Sequence, residues 1–179
     1  MKTNFDKRKA LGVFAQYGFR KTSVDDVANA VGLSRQSLYK KFGTKEELFQ
    51  TIVEDYSIEV GIQALETLEK KKDAPKLRIV CALETLIGQH LDLMHNSAHG
   101  AQLLKLGEQV MLSGDKSLMP RVLHEIATVI AEGNQARSAE QAADEAFILF
   151  TLAKGLLLTV TNHAEYDAGI KRATDRLLH

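Results

Sequence analysis

An all-α protein, with a three-helix N-terminal head joined by a long helix to a helical-bundle body, is what three features of this 179-residue sequence predict. Apolar residues recur at i, i+3 and i+4 in almost every segment, and no run alternates with the period of a strand. Glycines at positions 18, 32 and 43 stop three successive segments near the start of the chain, as helix C-termini require. Charge is also divided unevenly. Residues 1–45 hold ten Lys/Arg and three Asp/Glu, whereas residues 46–179 hold thirteen and twenty, so a net charge of zero splits into +7 and −7.

In the first helix, Ala10, Phe14 and Tyr17 form the apolar stripe and Gly18 supplies the stop. A second helix opens at Ser23, whose hydroxyl can accept a first-turn N–H, and Asp25 and Asp26 stand where the helix dipole favours negative charge. Val24, Val27, Ala28 and Val31 form its inner stripe, and Gly32 ends it. After Gly32-Leu33-Ser34 a third helix starts on a Ser34 cap, carries Leu38 and Phe42 inward, and closes at Gly43. Thr44 and Glu47 form a capping box that opens a long fourth helix running toward Lys70-Lys71-Lys72. Beyond the break at Asp73-Ala74-Pro75, helices are expected at about 76–94, 100–113, 117–133, 138–162 and 167–178.

Composition excludes several classes. With 45% hydrophobic and 26% charged residues the chain is ordinary for a globular protein and unlike a disordered one. One cysteine rules out a disulfide framework and a four-cysteine zinc site. The most apolar run, Ala146 to Val160, is interrupted by Thr151, Lys154 and Thr159 and is too short to cross a bilayer. No apolar segment follows the basic start, so no secretory signal is expected and the protein is placed in the cytoplasm without a membrane partner. No GxSxG, HExxH, GxxxxGK[ST] or GxGxxG sequence occurs, so no enzyme and no cofactor are expected.

The second and third helices have the lengths and turn of a helix-turn-helix, in which the first helix braces the second in a DNA major groove. The exposed side of the third helix is polar and basic as that task demands: Arg35, Gln36, Ser37, Tyr39, Lys40 and Lys41 surround Leu38 and Phe42. Arginine and glutamine can each make two hydrogen bonds to guanine and adenine edges. Tyr39 and the lysines suit phosphates, and the capped start of the fourth helix at Thr44 and Lys45 is a further phosphate seat.

On Phe14, Gly18-Phe19, Thr22-Ser23-Val24, Val27-Ala28, Gly32-Leu33-Ser34, Leu38-Tyr39, Phe42 and Lys45-Glu46-Glu47-Leu48, the stretch from Ala10 to Val53 resembles the DNA-binding domain of the tetracycline-repressor (TetR) family of bacterial transcriptional regulators. The resemblance covers about a quarter of the chain. It implies a dimeric regulator, most often a repressor, that binds a two-fold operator and responds to a small molecule held in the body. By position it assigns Ser23, Tyr39 and Lys45 to phosphates and Arg35, Gln36, Ser37 and Lys40 to the recognition helix. Lys40-Lys41 stand where many members carry an aromatic residue and a histidine, so base preference does not transfer. The expected division is a DNA-binding domain over residues 1–45 and a ligand-binding, dimerising domain over residues 46–179.

In the body, helix 138–162 is apolar nearly all round, so it needs cover on nearly all sides. A second copy of the chain can supply it, and Ala146, Ala153 and Leu157, with Ile170 and Leu177 of the last helix, are the expected dimer interface. His90, Met94, Met111, Phe147 and Phe150 are the expected lining of an adaptable apolar ligand cavity. His95 and His99 have a spacing that metal sites use, but they sit at a helix boundary and are read as ordinary polar side chains, with no metal. Cys81 falls in a helical stripe and is read as packing. Two other classes remain open: a helical small-molecule binder or enzyme whose basic head is incidental, and a helical module that docks a protein partner.

Overall fold

Ten α-helices and one 3-10 turn hold most of the described residues, none of which lies in a strand. The structure is a computed structural model that describes residues 5–113, 117–134 and 136–178, with side chains at all of these except 110–113. In chain order the helices are α1 (Lys7–Lys21), α2 (Val24–Val31), α3 (Arg35–Phe42), α4 (Lys45–Leu68) and α5 (Pro75–Leu86). The 3-10 turn Gly88–His90 follows, then α6 (Leu91–Asn96), α7 (Gly100–Ser113), α8 (Met119–Gly133), α9 (Ala139–Thr159) and α10 (His163–Leu177). The expected stop at Ser113-Gly114-Asp115 lies in part outside the described residues.

The helix starts follow the capping residues read in the sequence. Ser23 and Ser138 build complete capping boxes with Asp26 and Gln141, and Ser34 accepts the Ser37 N–H. Two boundaries differ from expectation. Helix 76–94 is broken at Ile87, whose φ of −130° and ψ of −57° leave the helical region. The break tucks Gly88 beneath Tyr166, which is 1% exposed, and a Cβ at Gly88 would overlap the Glu84 carboxylate and the Tyr166 ring. The last helix begins at His163 instead of about residue 167, because the Asn162 side chain accepts the Glu165 N–H and so caps it.

The chain packs as two compact units. One comprises residues 5–58 with 93–113; the other comprises residues 59–92 with the described residues from 117 onward. The packing therefore does not divide at residue 45. In the first unit Ala10, Leu11, Phe14, Val24, Val27, Ala28, Leu38, Leu48, Ile52 and Val53 form the core, and Leu103 of α7 joins them at 7% exposure. The rings of Phe14, Phe19 and Phe49 meet pairwise at centroid distances of 4.8–6.0 Å. The His99 N–H donates to the Ala15 carbonyl at 2.8 Å, which holds the start of α7 against α1.

In the second unit α5, α8, α9 and α10 surround Ile79, Leu83, Val122, Ile126, Ile130, Leu149, Tyr166 and Ile170. Arg78 is buried among them. Its Nε donates to the Leu68 carbonyl and its Nη1 to Glu132, both at 2.6 Å. Arg137 similarly joins Glu145 of α9 to the Leu177 carbonyl of α10. Among the described residues no helix is long and apolar enough to cross a membrane.

Candidate nucleic-acid interface

α3 is eight residues long and only Leu38 on it is buried, at 1% exposure. Phe42 is half-buried, its ring 5.0 Å from that of Phe5. Arg35, Gln36, Ser37, Tyr39, Lys40 and Lys41 are all exposed. The turn before α3 depends on Gly32, which has φ +70° and ends α2 in the left-handed conformation that costs a side chain most. Gly18, at φ +77°, likewise lets α1 leave the helical path before the caps of α2.

The hydroxyls and ammonium assigned to phosphate are already engaged within the head. Ser23 Oγ donates to Asp26 at 2.6 Å while the Asp26 N–H donates back to it at 3.1 Å. Thr44 donates its N–H and its hydroxyl to Glu47 at 2.7 and 3.0 Å. These contacts hold both carboxyls below the usual carboxylate range, Asp26 chiefly through the Ser23 hydroxyl and Glu47 chiefly through the Thr44 amide. Folded values lower than unfolded ones mean that both caps contribute in full at neutral pH and fade as pH falls through the lowered values.

Lys45 has a task that spacing did not reveal. Its Nζ donates to the carbonyls of Phe19 at 3.0 Å and Thr22 at 3.2 Å, and lies 4.5 Å from the centre of the Phe19 ring. It therefore secures the end of α1 and the approach to α2 with two of its three N–H groups. Lys45→Met, which keeps the stem over Phe19, is expected to lower head stability by roughly 1 kcal/mol. Salt titrations of duplex binding should flatten by about one unit of slope if the remaining N–H meets a phosphate. An unchanged slope would restrict Lys45 to its capping role.

Arg35 is held as well. Its Nη1 donates to Asp25 of α2 at 3.0 Å, its Nη2 to the Tyr39 hydroxyl at 3.4 Å, and its guanidinium carbon lies 5.3 Å from the Tyr39 ring centre. The Tyr39 hydrogen bond first, and Asp25 second, raise its already high pKa, so the charge is permanent. Asp25, placed by the sequence where it favours the helix dipole, thus also holds a side chain of the next helix. A pairing across a turn has no fixed spacing, so nothing local could reveal it. Lys41 lies over the rings of Phe5 and Phe42 at 5.2 and 4.8 Å.

The residues expected to line a ligand cavity are divided between the two units. His90 is buried in the second unit with Nδ1 3.3 Å from the Ile87 carbonyl, and Phe150 is 9% exposed beneath Lys154. Phe147, by contrast, is 62% exposed on the outside of α9. Met94 is half-buried in the first unit, and the Met111 side chain lies outside the described residues. Of the expected dimer residues, Ala146, Ala153 and Ile170 are buried in their own unit at 0–1% exposure and cannot meet a second copy. Leu157 and Leu177 are half-buried. For the residues of α9 the cause is plain: a helix that is apolar all round does not show which side its own neighbours cover. Cys81, read as packing, is exposed.

Residues 8–52 match the model for bacterial regulatory proteins of the tetR family. The uncharacterized HTH-type transcriptional regulator YezE of Bacillus subtilis (strain 168) is 39% identical over 61 residues, which are 34% of this chain. The chain spans 31% of that relative's length. Among solved structures, the TetR family transcriptional regulator PfmR from Thermus thermophilus aligns with a TM-score of 0.62 at 17% identity, covering 96% of both chains. FadR from Bacillus subtilis, solved in complex with stearoyl-CoA, aligns with a TM-score of 0.59 at 14% identity over 96% of this chain and 95% of that one. At those identities the likeness is one of fold.

Proposed function

We propose that the chain, whose residues 8–52 match the model for bacterial regulatory proteins of the tetR family, binds operator DNA as a dimer and regulates transcription, acting as a repressor whose affinity is set by a small molecule in the second unit. One observation carries the DNA-binding reading: α3 exposes Arg35, Gln36, Ser37, Tyr39, Lys40 and Lys41 while Leu38 and the half-buried Phe42 anchor it. That ridge sits on a segment with a net charge of +7, which attracts a polyanion at every sequence before any base is read. Titration of the protein with duplexes from 50 to 200 mM salt tests it. A steep loss of affinity with salt, together with one preferred two-fold sequence whose half-sites lie about 34–36 Å apart or a multiple of that, is expected. Salt-insensitive or absent binding would end the reading.

The dimer surface is assigned to the outer side of α9. Phe147 and Leu158 are 62% and 63% exposed, Ile148 is 45% exposed, and Ala143, Thr151 and Gly155 lie on the same stretch. Nothing lies within 4 Å of a Cβ built on Gly155, so a second helix has room to approach there. Leu157, half-buried on α9, borders this surface, while Ala146 and Ala153 of the same helix face away from it into the unit. Phe147→Glu is expected to weaken self-association by at least about 2 kcal/mol, as loss of a central aromatic anchor does. Sedimentation equilibrium reads this directly, and a variant still dimeric at low micromolar concentration would move the interface elsewhere.

The effector reading draws support from FadR, a protein of this fold solved with stearoyl-CoA. His90 and Phe150 of the second unit are the retained candidates for contact. Mass spectrometry of compounds carried through purification, followed by their effect on duplex affinity, tests the proposal. Any shift equals the compound's differential affinity for the DNA-competent and DNA-incompetent states.

A further inference from the structure

The Arg35 guanidinium is gripped from two helices, and the grip includes a carboxylate where the surface otherwise favours cations. We infer that Asp25 is a specificity-determining positioning residue, which fixes the pose of Arg35 for base reading without a base contact of its own. This rests on the duplex-binding reading above.

Asp25 stands in the first turn of α2, whose start is locked by the Ser23–Asp26 capping box. That fixes the backbone from which its carboxylate reaches one side of the guanidinium, at 3.0 Å from Nη1. Tyr39, one turn along α3 from Arg35, supplies the other side through its hydroxyl at 3.4 Å and its ring face. Two of the five guanidinium N–H groups are used in this way, and three remain, enough for a bidentate contact with a guanine edge. Folding does not explain the pair. Both side chains are about half exposed, at 58% and 52%, and such pairs contribute little to stability.

Nor does raw affinity explain it. A carboxylate beside the ridge opposes phosphate attraction at every sequence. Its benefit arises only where a pre-aimed Arg35 meets its matching base, so Asp25 exchanges general affinity for discrimination.

The test compares the wild type, Asp25→Asn, Arg35→Ala and the double variant on a duplex selected by the wild type from a random pool, and on its single-base-pair changes. Asp25→Asn is expected to bind unrelated duplex at least as tightly as the wild type. It should lose about fivefold or more discrimination at the one base pair whose preference Arg35→Ala also removes. The double variant should discriminate no worse than Arg35→Ala, and the thermal midpoint of Asp25→Asn should fall by no more than about 4 °C, the share of one first-turn charge. Discrimination retained in Asp25→Asn, a loss that adds to that of Arg35→Ala, or a uniform loss on all duplexes with a midpoint lowered by more than that would each overturn the assignment. The 15N relaxation of the Arg35 Nε–H reads the grip without DNA: it should be ordered in the wild type and mobile in Asp25→Asn. Equal mobility in a wild type that binds duplex overturns the grip alone, whereas a wild type that binds no duplex at low salt overturns the function and the assignment together.

Discussion

Leu38→Ala is expected to abolish sequence-specific duplex binding while conserving every charge of α3, leaving only the weak, salt-dependent attraction of the basic segment for any duplex. Leu38 is the single buried side chain on that helix, at 1% exposure, and meets the core formed by α1, α2 and the start of α4. Truncating a leucine so enclosed costs about 2–5 kcal/mol, the upper range applying where the surroundings cannot collapse into the cavity. An eight-residue helix does not persist in water alone, so without its anchor α3 loses the shape that a groove recognises. The chain has no tryptophan, so the loss is best followed by calorimetry or by amide NMR signals of residues 24–42. A Leu38→Ala protein with wild-type duplex affinity would show that binding does not depend on a docked α3.

Arg78→Ala should produce a large loss of stability in the second unit. The guanidinium is 4% exposed and serves both the Leu68 carbonyl, which ends α4, and the Glu132 carboxylate of α8. Truncation leaves a carbonyl of a buried residue without its donor and a carboxylate without its counterion. Glu132 is 37% exposed, so water recovers part of the loss, and the expected cost is about 3 kcal/mol, the lower end for breaking such a pair. That corresponds to a midpoint lowered by roughly 6–12 °C. Arg78→Lys should fall between, because an ammonium preserves the charge but cannot bridge both acceptors in one plane. A midpoint within about 2 °C of the wild type in Arg78→Ala would show that water replaces the guanidinium at little cost.

Local chemistry made much of the head legible. Ser23, Ser34 and Thr44 act within their own first turns, Gly18, Gly32 and Gly43 act through their own φ, and Leu38 against its polar neighbours marks the inward side of a helix that has only one. Each signal lies within about four residues of its effect, which is the reach of a helical turn. The family resemblance rested on the same stretch, and the family model matches there.

What lay beyond that reach was decided by packing. The sequence by itself determined an all-helical chain, its caps and stops, and a cationic third helix, because these are set by bonds between near neighbours. Only the tertiary structure decided that α7 packs with the head, that Lys45 ends on two carbonyls more than twenty residues back, and that Asp25 grips Arg35. It also decided which side of α9 faces inward, leaving Phe147 and Leu158 outside and Ala146 and Ala153 within. Period reveals that a helix has an apolar surface; which neighbour covers it depends on contacts between residues far apart in the chain, and those carry no spacing to be read.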